Sequence, residues 1–155
     1  MRVCMAQLNP TVGDIASNLQ KMKQAVNQAV REQADLIVFP ELYLTGYPPR
    51  DLLRRADFRR AVQTGIAQLK TLSKEYPKIG IVCGVPLEKN GQLFNSAVVV
   101  HEGNLIFTHD KIKLWTYEGF DETRYFTPGS VLQTFLFRGE VVGLSIGSDL
   151  DHTDG

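Results

Sequence analysis

Cysteine is nearly absent from this sequence. Only Cys4 and Cys83 occur in 155 residues, which excludes a disulfide framework and the paired spacing of a cysteine-based metal site. Both stand in apolar, strand-like runs, so they are expected to be buried, reduced core thiols. Neither sits at a strand-to-turn junction beside a base, where a reactive thiol would be expected. Excess charge is also missing. The 17 basic and 17 acidic residues cancel, leaving no field to draw in nucleic acid or an acidic membrane. The basic residues are scattered among acids and form no nucleic-acid-binding signature. A net charge of zero also favours self-association near neutral pH. No apolar stretch approaches the length of a bilayer. The opening MRVCMAQLNP has one basic residue before a brief apolar run, too little for a signal peptide. A cytoplasmic protein that engages neither membrane nor nucleic acid is the expectation. His101, His109 and His152 show no ligand-like spacing with cysteine or acids, so structural or surface roles are expected and metal binding is not. P-loop and Rossmann fingerprints are lacking, and GSVLQTFLFRG is not a phosphate loop.

What is present suits one packed domain. Hydrophobic residues make up 43% and charged residues 22%, enough apolar surface for a core and too little charge for a disordered chain. Residues Arg2 to Leu8 read as a strand stopped by Asn9-Pro10 and Gly13-Asp14. Leu19, Met22, Ala25, Val26, Ala29 and Val30 then recur three or four apart, which predicts a helix with Ser17 as its N-cap. The run from Ala34 to Phe39, closed by Pro40, reads as a second strand, whose nearly continuous apolar character is what a strand central in a sheet, covered on both faces, would need. Strand, helix and strand together make a βαβ-like start. Glu41 to Pro49 is a loop punctuated by Gly46, Pro48 and Pro49.

A second helical stretch runs from about Arg50 to Tyr76, with Phe58, Val62, Ile66, Leu69 and Leu72 inward and a break near Ala56-Asp57. Ile79 to Leu87 and Leu93 to His101 form a hairpin about Lys89-Asn90-Gly91. Leu105 to Thr108 follows, then a long irregular segment from Asp110 to Ser130. Last come strands at Leu132 to Phe137 and Val141 to Ile146, joined through Arg138-Gly139. There is no internal repeat, low-complexity tract or linker. The pattern predicts an α/β protein of α+β type, with a mixed sheet and helices on one or both faces.

Several side chains could carry chemistry. Glu41 directly follows an apolar strand, where a rigid scaffold would hold its carboxylate as a base; the bland reading is a surface carboxylate that opens a loop. Lys111 and Lys113 follow the strand ending near Thr108, and one of them could stabilise negative charge on a tetrahedral intermediate. Otherwise both are solvated charges. Asp121, Glu122 and Arg124 form a charged cluster, more often structural than catalytic. Tyr47 and Tyr117 could close a small polar pocket or cap the core with an apolar ring and a wet hydroxyl.

Taken together, these motifs resemble the nitrilase, or carbon–nitrogen hydrolase, superfamily, and within it the N-terminal glutaminase domain of glutamine-dependent NAD synthetases. AQLNPTVGDIASN is similar to the start of that subgroup. VFPELYLTGYPPRDLL carries the family's glutamate motif and LFNSAVVVHEGNLIFTHDKIKL the hairpin leading to its lysine. YEGFDETRYFTPG resembles the most specific signature of the subgroup. The resemblance implies a partial nitrilase-like α-β-β-α sandwich, with Glu41 as general base, Lys111 (not Lys113) as the oxyanion-holding lysine and Glu122 as a second supporting acid. Tyr47 and Tyr117 match positions lining the glutamine pocket. In such a domain a cysteine attacks the glutamine side-chain amide, releases ammonia and leaves a thioester that water hydrolyses.

Two departures stand out. Where the family has Ile-Cys-Glu-Asp-Leu-Trp, this chain reads Ile146-Gly147-Ser148-Asp149-Leu150-Asp151, so Gly147 holds the nucleophile's place. Trp115 replaces a frequent proline. Ser148 is offset by one residue, which on a strand would turn it to the opposite face. Residues 1–155 are thus expected to be the N-terminal portion of a glutaminase domain, inactive alone. No cofactor is expected in this portion, since ATP and magnesium would belong to an absent synthetase domain. Glutamine is the expected ancestral substrate, and apolar surface left by a missing second half should promote self-association. Two alternatives are a non-catalytic binding or assembly module for a synthetase-domain partner, and an amidase or nitrilase acting on another small amide.

Overall fold

The computed structural model describes residues 1–117 and 120–151. Its centre is a five-stranded sheet of β1 (Val3–Met5), β2 (Leu36–Val38), β3 (Gly80–Lys89), β4 (Gln92–His101) and β5 (Asn104–Asp110), adjacent in that order. The first three strands run parallel and the last two are antiparallel hairpin partners, so the sheet is mixed. Helices α1 (Ile15–Arg31) and α2 (Ala56–Glu75) supply the crossovers that parallel pairing requires.

Strand periodicity divides the core into two layers. Ile37, Ile81, Cys83, Val98 and Val100 point to the side where Met22, Val26, Val62 and Leu69 of the helices pack. Their neighbours Leu36, Val82, Ala97 and Val99 face the other way, against Phe137 and Ile146. That second face is covered by a two-stranded hairpin of β8 (Thr134–Phe137) and β9 (Glu140–Gly143), where Phe135 stacks on Phe107 at 4.6 Å. Burial on both faces accounts for the almost unbroken apolar runs of β2 and β3. The intervening β6 (Thr116–Tyr117) and β7 (Phe120–Asp121) form a minimal hairpin.

Two local expectations need correction. The cap of α1 is Asp14, whose carboxylate accepts from the Ser17 amide at 3.0 Å; Ser17 is the third helical residue and supplies the donor, not the cap. The helical stretch after Arg50 does divide, into a short 3-10 turn (Arg50–Arg54) and α2, with Arg55 extended between them. Among the described residues no helix is long and apolar enough to cross a membrane.

The loop after β2 is the part of the fold that positions chemistry. It is packed inward: Leu42, Tyr43, Leu44 and Thr45 are wholly buried. Its backbone polar groups therefore need internal partners. Buried Asn18 of α1 donates to Thr11 O at 2.9 Å and to Leu44 O at 3.1 Å, and Tyr43 Oη donates to Asn18 O. On the other side the loop lies directly on β3, where Leu44 N donates to Gly84 O. Only glycine fits at position 84, because a Cβ there would come within 2.2 Å of Leu42 N and 2.5 Å of Pro40 O.

Candidate active site

Glu41 leaves the end of β2 beside Asn95 of β4 and Lys111, the first residue after β5. The Lys111 main chain is fixed on both sides, its N–H donating to Asn95 O at 2.8 Å and its carbonyl accepting from Gly129 N at 2.8 Å. The side chain is only 1% exposed, and its Nζ donates to Glu41 Oε1 at 2.8 Å and Glu122 Oε1 at 3.0 Å. Two carboxylates thus share one ammonium. Asn95 Nδ2 adds a bond to Glu41 Oε1 at 2.7 Å, and the Trp115 N–H one to Glu122 Oε2 at 2.8 Å. Burying such charges costs several kcal/mol per ion before their attraction offsets it, so the cluster is a poor way to gain stability. It does hold a carboxylate and a lysine in fixed relation.

The turn after β9 closes the other side. Gly147–Leu150 is a 3-10 turn that begins with Gly147 at φ +49°. A Cβ built on Gly147 would lie 3.3 Å from Glu41 Oε2 and 3.2 Å from Lys111 Nζ. Any side chain at 147 would therefore start beside the Glu41 carboxylate and the Lys111 ammonium. Ser148 does not substitute for it. Its hydroxyl donates to Lys113 O at 2.7 Å, and the cause is the 3-10 turn, not the strand alternation that the sequence suggested.

Asp149 ties this turn down. Its Oδ1 accepts from the amides of Ile112 (2.8 Å) and Lys113 (3.1 Å), and its Oδ2 from that of Ile146 (3.0 Å). His109 Nε2 lies 2.7 Å from the same Oδ2. Burial pushes the Asp149 carboxyl up, but the bonds from His109, Ile146, Lys113 and Ile112 outweigh it and hold the group below its ordinary 3.8. An ionised carboxylate only accepts, so His109 carries its proton on Nε2.

Residues 2–150 match the carbon–nitrogen hydrolase family along nearly the whole chain. The chain belongs to the carbon–nitrogen hydrolase family. It is 38% identical over 150 residues to a glutamine-dependent NAD(+) synthetase from Acinetobacter baylyi, covering 96% of this chain and 27% of that protein. Among solved structures it resembles glutamine-dependent NAD+ synthetase from Acinetobacter baumannii, with a TM-score of 0.89 and 40% identity, over 96% of this chain and 28% of that one. An amidase from Nesterenkonia sp. shares the fold at a TM-score of 0.83 and 23% identity, over 94% of this chain and 54% of that one. This carbon–nitrogen hydrolase chain thus spans about a quarter of the length of the synthetases it matches.

Of the residues singled out from the sequence, the structure brings Glu41, Lys111, Glu122, Gly147 and Tyr47 together. Tyr47 Oη donates to Glu122 Oε1 at 3.5 Å, and burial, followed by the nearby Glu122 and Glu41, pushes its phenol up to about 12. Tyr117 is 68% exposed on β6, opposite Phe120 of β7. Lys113 turns its Nζ to Asp151 O, outside the cluster. Asp121 accepts from the Thr123 hydroxyl, and Arg124 lies over the Tyr125 ring at 5.9 Å. His101 reaches Pro77 O at 2.8 Å, and His152 lies outside the described residues. Cys83 is buried, which raises its thiol pKa, while Cys4 is only partly buried.

Three participants escaped the sequence reading: Asn95, His109 and Asp149. For Asn95 a signal existed, since Asn95 and Ser96 interrupt the apolar run of β4 and both are fully buried. Among the described residues Asn95 Oδ1 has no hydrogen-bond partner. His109 and Asp149 are 40 residues apart, and nothing local pairs them.

Proposed function

We propose that this chain is the core of a glutamine amidohydrolase site that retains its base and its lysine but has lost its nucleophile, so that it engages a primary carboxamide without hydrolysing it. The observation that carries this reading is Gly147, whose missing side chain would start beside Glu41 Oε2 and Lys111 Nζ. The relatives named as glutamine-dependent NAD(+) synthetases support glutamine as the amide. In an ancestor bearing cysteine at 147, Glu41 would take the thiol proton and Lys111 would hold the oxyanion as sulfur displaced ammonia. Ammonia supplied in this way would serve NAD synthesis in the cytoplasm, on a partner bearing the synthetase activity. The reading includes self-association through the outward face of β8–β9, where Leu136 and Val141 stand opposite each other at 70% and 73% exposure.

Ammonia release from glutamine by the purified chain tests the loss of activity. None above the spontaneous rate is expected. Release that disappears in Glu41→Ala would overturn the reading.

A further inference from the structure

We propose that a cleft lined by Arg54, Arg59 and Arg124 binds the phosphate monoester group of a small metabolite, with Arg59 and Arg124 as the residues that hold the dianion. None of the residues lining this cleft belongs to the Glu41–Lys111–Glu122 cluster, so the proposal goes beyond the reading above and does not depend on it.

The sequence scatters its arginines, and the fold gathers three of them. Arg54 ends the 3-10 turn that precedes α2, Arg59 lies in the first turns of α2, and Arg124 ends a second 3-10 turn, Glu122–Arg124. All three line one half-open cleft of about 380 Å3, which the end of the β3–β4 hairpin also lines. That volume falls at the small end of ligand pockets, which run from about 300 to 1,000 Å3. Among the described residues that line it, Glu88 is the only acid.

The guanidinium groups are held in place. Arg59 Nη1 donates to Leu53 O at 3.3 Å. Arg54 and Arg124 both lie over the Tyr125 ring, 5.5 Å and 5.9 Å from its centre, and the Tyr125 hydroxyl donates to Asp51 Oδ1 at 2.7 Å. Side chains ordered in this way have less freedom left to lose when a ligand arrives. Among the described residues the arginine ion pairs are those of Arg54 with Asp51, Arg55 with Asp57 and Arg138 with Asp35; Arg59 and Arg124 have none. The Tyr125 hydroxyl, and after it Arg124, Arg54 and Arg50, hold the Asp51 carboxyl below its ordinary value against a smaller opposing effect of burial, so the local field is positive.

Two guanidiniums without a carboxylate partner match a ligand with two negative charges. A phosphate monoester carries them at neutral pH, because its second pKa is about 6, and its oxygens accept the paired N–H groups of arginine. A carboxylate or a phosphodiester brings only one charge. Leu53 and Leu93 line the same cleft and offer an apolar wall to the organic part of the ester.

Calorimetric titration of the purified chain with phenyl phosphate and phenyl sulfate at about pH 8 tests this, since at that pH the two share a shape but carry two charges and one. Phenyl phosphate is expected to bind saturably and at least about tenfold more tightly than phenyl sulfate, the scale of one charge-assisted hydrogen bond. Inorganic phosphate should compete with it more weakly, because it lacks the apolar contact; equal affinity would make the free ion the ligand and overturn the ester assignment. Arg59→Gln and Arg124→Gln should each weaken phenyl phosphate binding about tenfold, whereas Arg60→Gln, which removes the same charge outside the cleft, should leave it nearly unchanged. Glu88→Gln should tighten binding, a gain that an unfolded variant could not give. Equal affinities for the two phenyl esters, equal losses in all three arginine variants, or no saturable binding would each overturn the proposal.

Discussion

Lys111 is the residue on which the site turns. Its ammonium is 1% exposed and lies within 3.0 Å of an oxygen from each of two carboxylates. Replacing it with an isosteric apolar chain, Lys111→Met, leaves Glu41 and Glu122 facing each other without a cation. Breaking a buried pair in this way typically costs about 3–5 kcal/mol, and the lower end is expected here because Glu41 is 27% exposed. Urea unfolding checks this; a midpoint equal to that of the parent chain would mean that the carboxylates never depended on the lysine. Glu41 was readable in the sequence because an apolar strand stops at Pro40 directly before it. Local pattern offered Lys111 only together with Lys113, and Glu122 only within a charged cluster, since each looks like an ordinary solvated charge; the family resemblance chose them from their neighbours. Asn95 was missed because an amide within a strand normally signals an edge, whereas here it is buried to hold Glu41.

At the scale of elements, the site depends on how three segments are locked together. The β2 loop lies on β3 at Gly84, the segment after β5 bonds to β4, and the Gly147–Leu150 turn is held by Asp149. The last lock has a pH signature. Because the folded Asp149 carboxyl titrates below its ordinary 3.8, its contribution is complete above that value and fades as pH falls through the lower folded pKa. The parent chain should therefore lose stability below about pH 4, the ordinary carboxylate range. Asp149→Asn should be less stable at neutral pH and flatter across the acid range. Thermal unfolding from pH 6 to pH 2 checks this, and parallel curves would remove Asp149 from the account. The helices and the β3–β4 hairpin were legible because their apolar periods persist for several turns or residues. Two-residue strands such as β6 and β7 have no period to read, and the cap of α1 was misassigned because Asp14 and Ser17 are both good capping residues.

The whole molecule has an uneven surface. Helices cover one face of the sheet fully, whereas the other is covered by a single hairpin whose outer side leaves Leu136 and Val141 open, with Val131 and Leu132 also exposed nearby in sequence. With formal charge at zero, repulsion between copies is weak. Light scattering over a hundredfold concentration range should show a rising mass, and Leu136→Lys with Val141→Glu should suppress the rise. A parent chain that stays monomeric throughout would contradict self-association. The mixed sheet and the helix layer were accessible from the order of strand and helix patterns. The hairpin's place on the second face was not, because burial of β8 and β9 depends on strands far away in the chain.

The claim at the centre is that nothing at position 147 can be acylated. Intact-mass measurement after acid quench, on the parent chain and on Gly147→Cys incubated with glutamine, tests it most directly. The account predicts a γ-glutamyl adduct on the cysteine variant, despite the about 1–3 kcal/mol of strain that a side chain at this backbone angle carries, and an unchanged mass for the parent chain. A glutamine-derived adduct on the parent chain would contradict it.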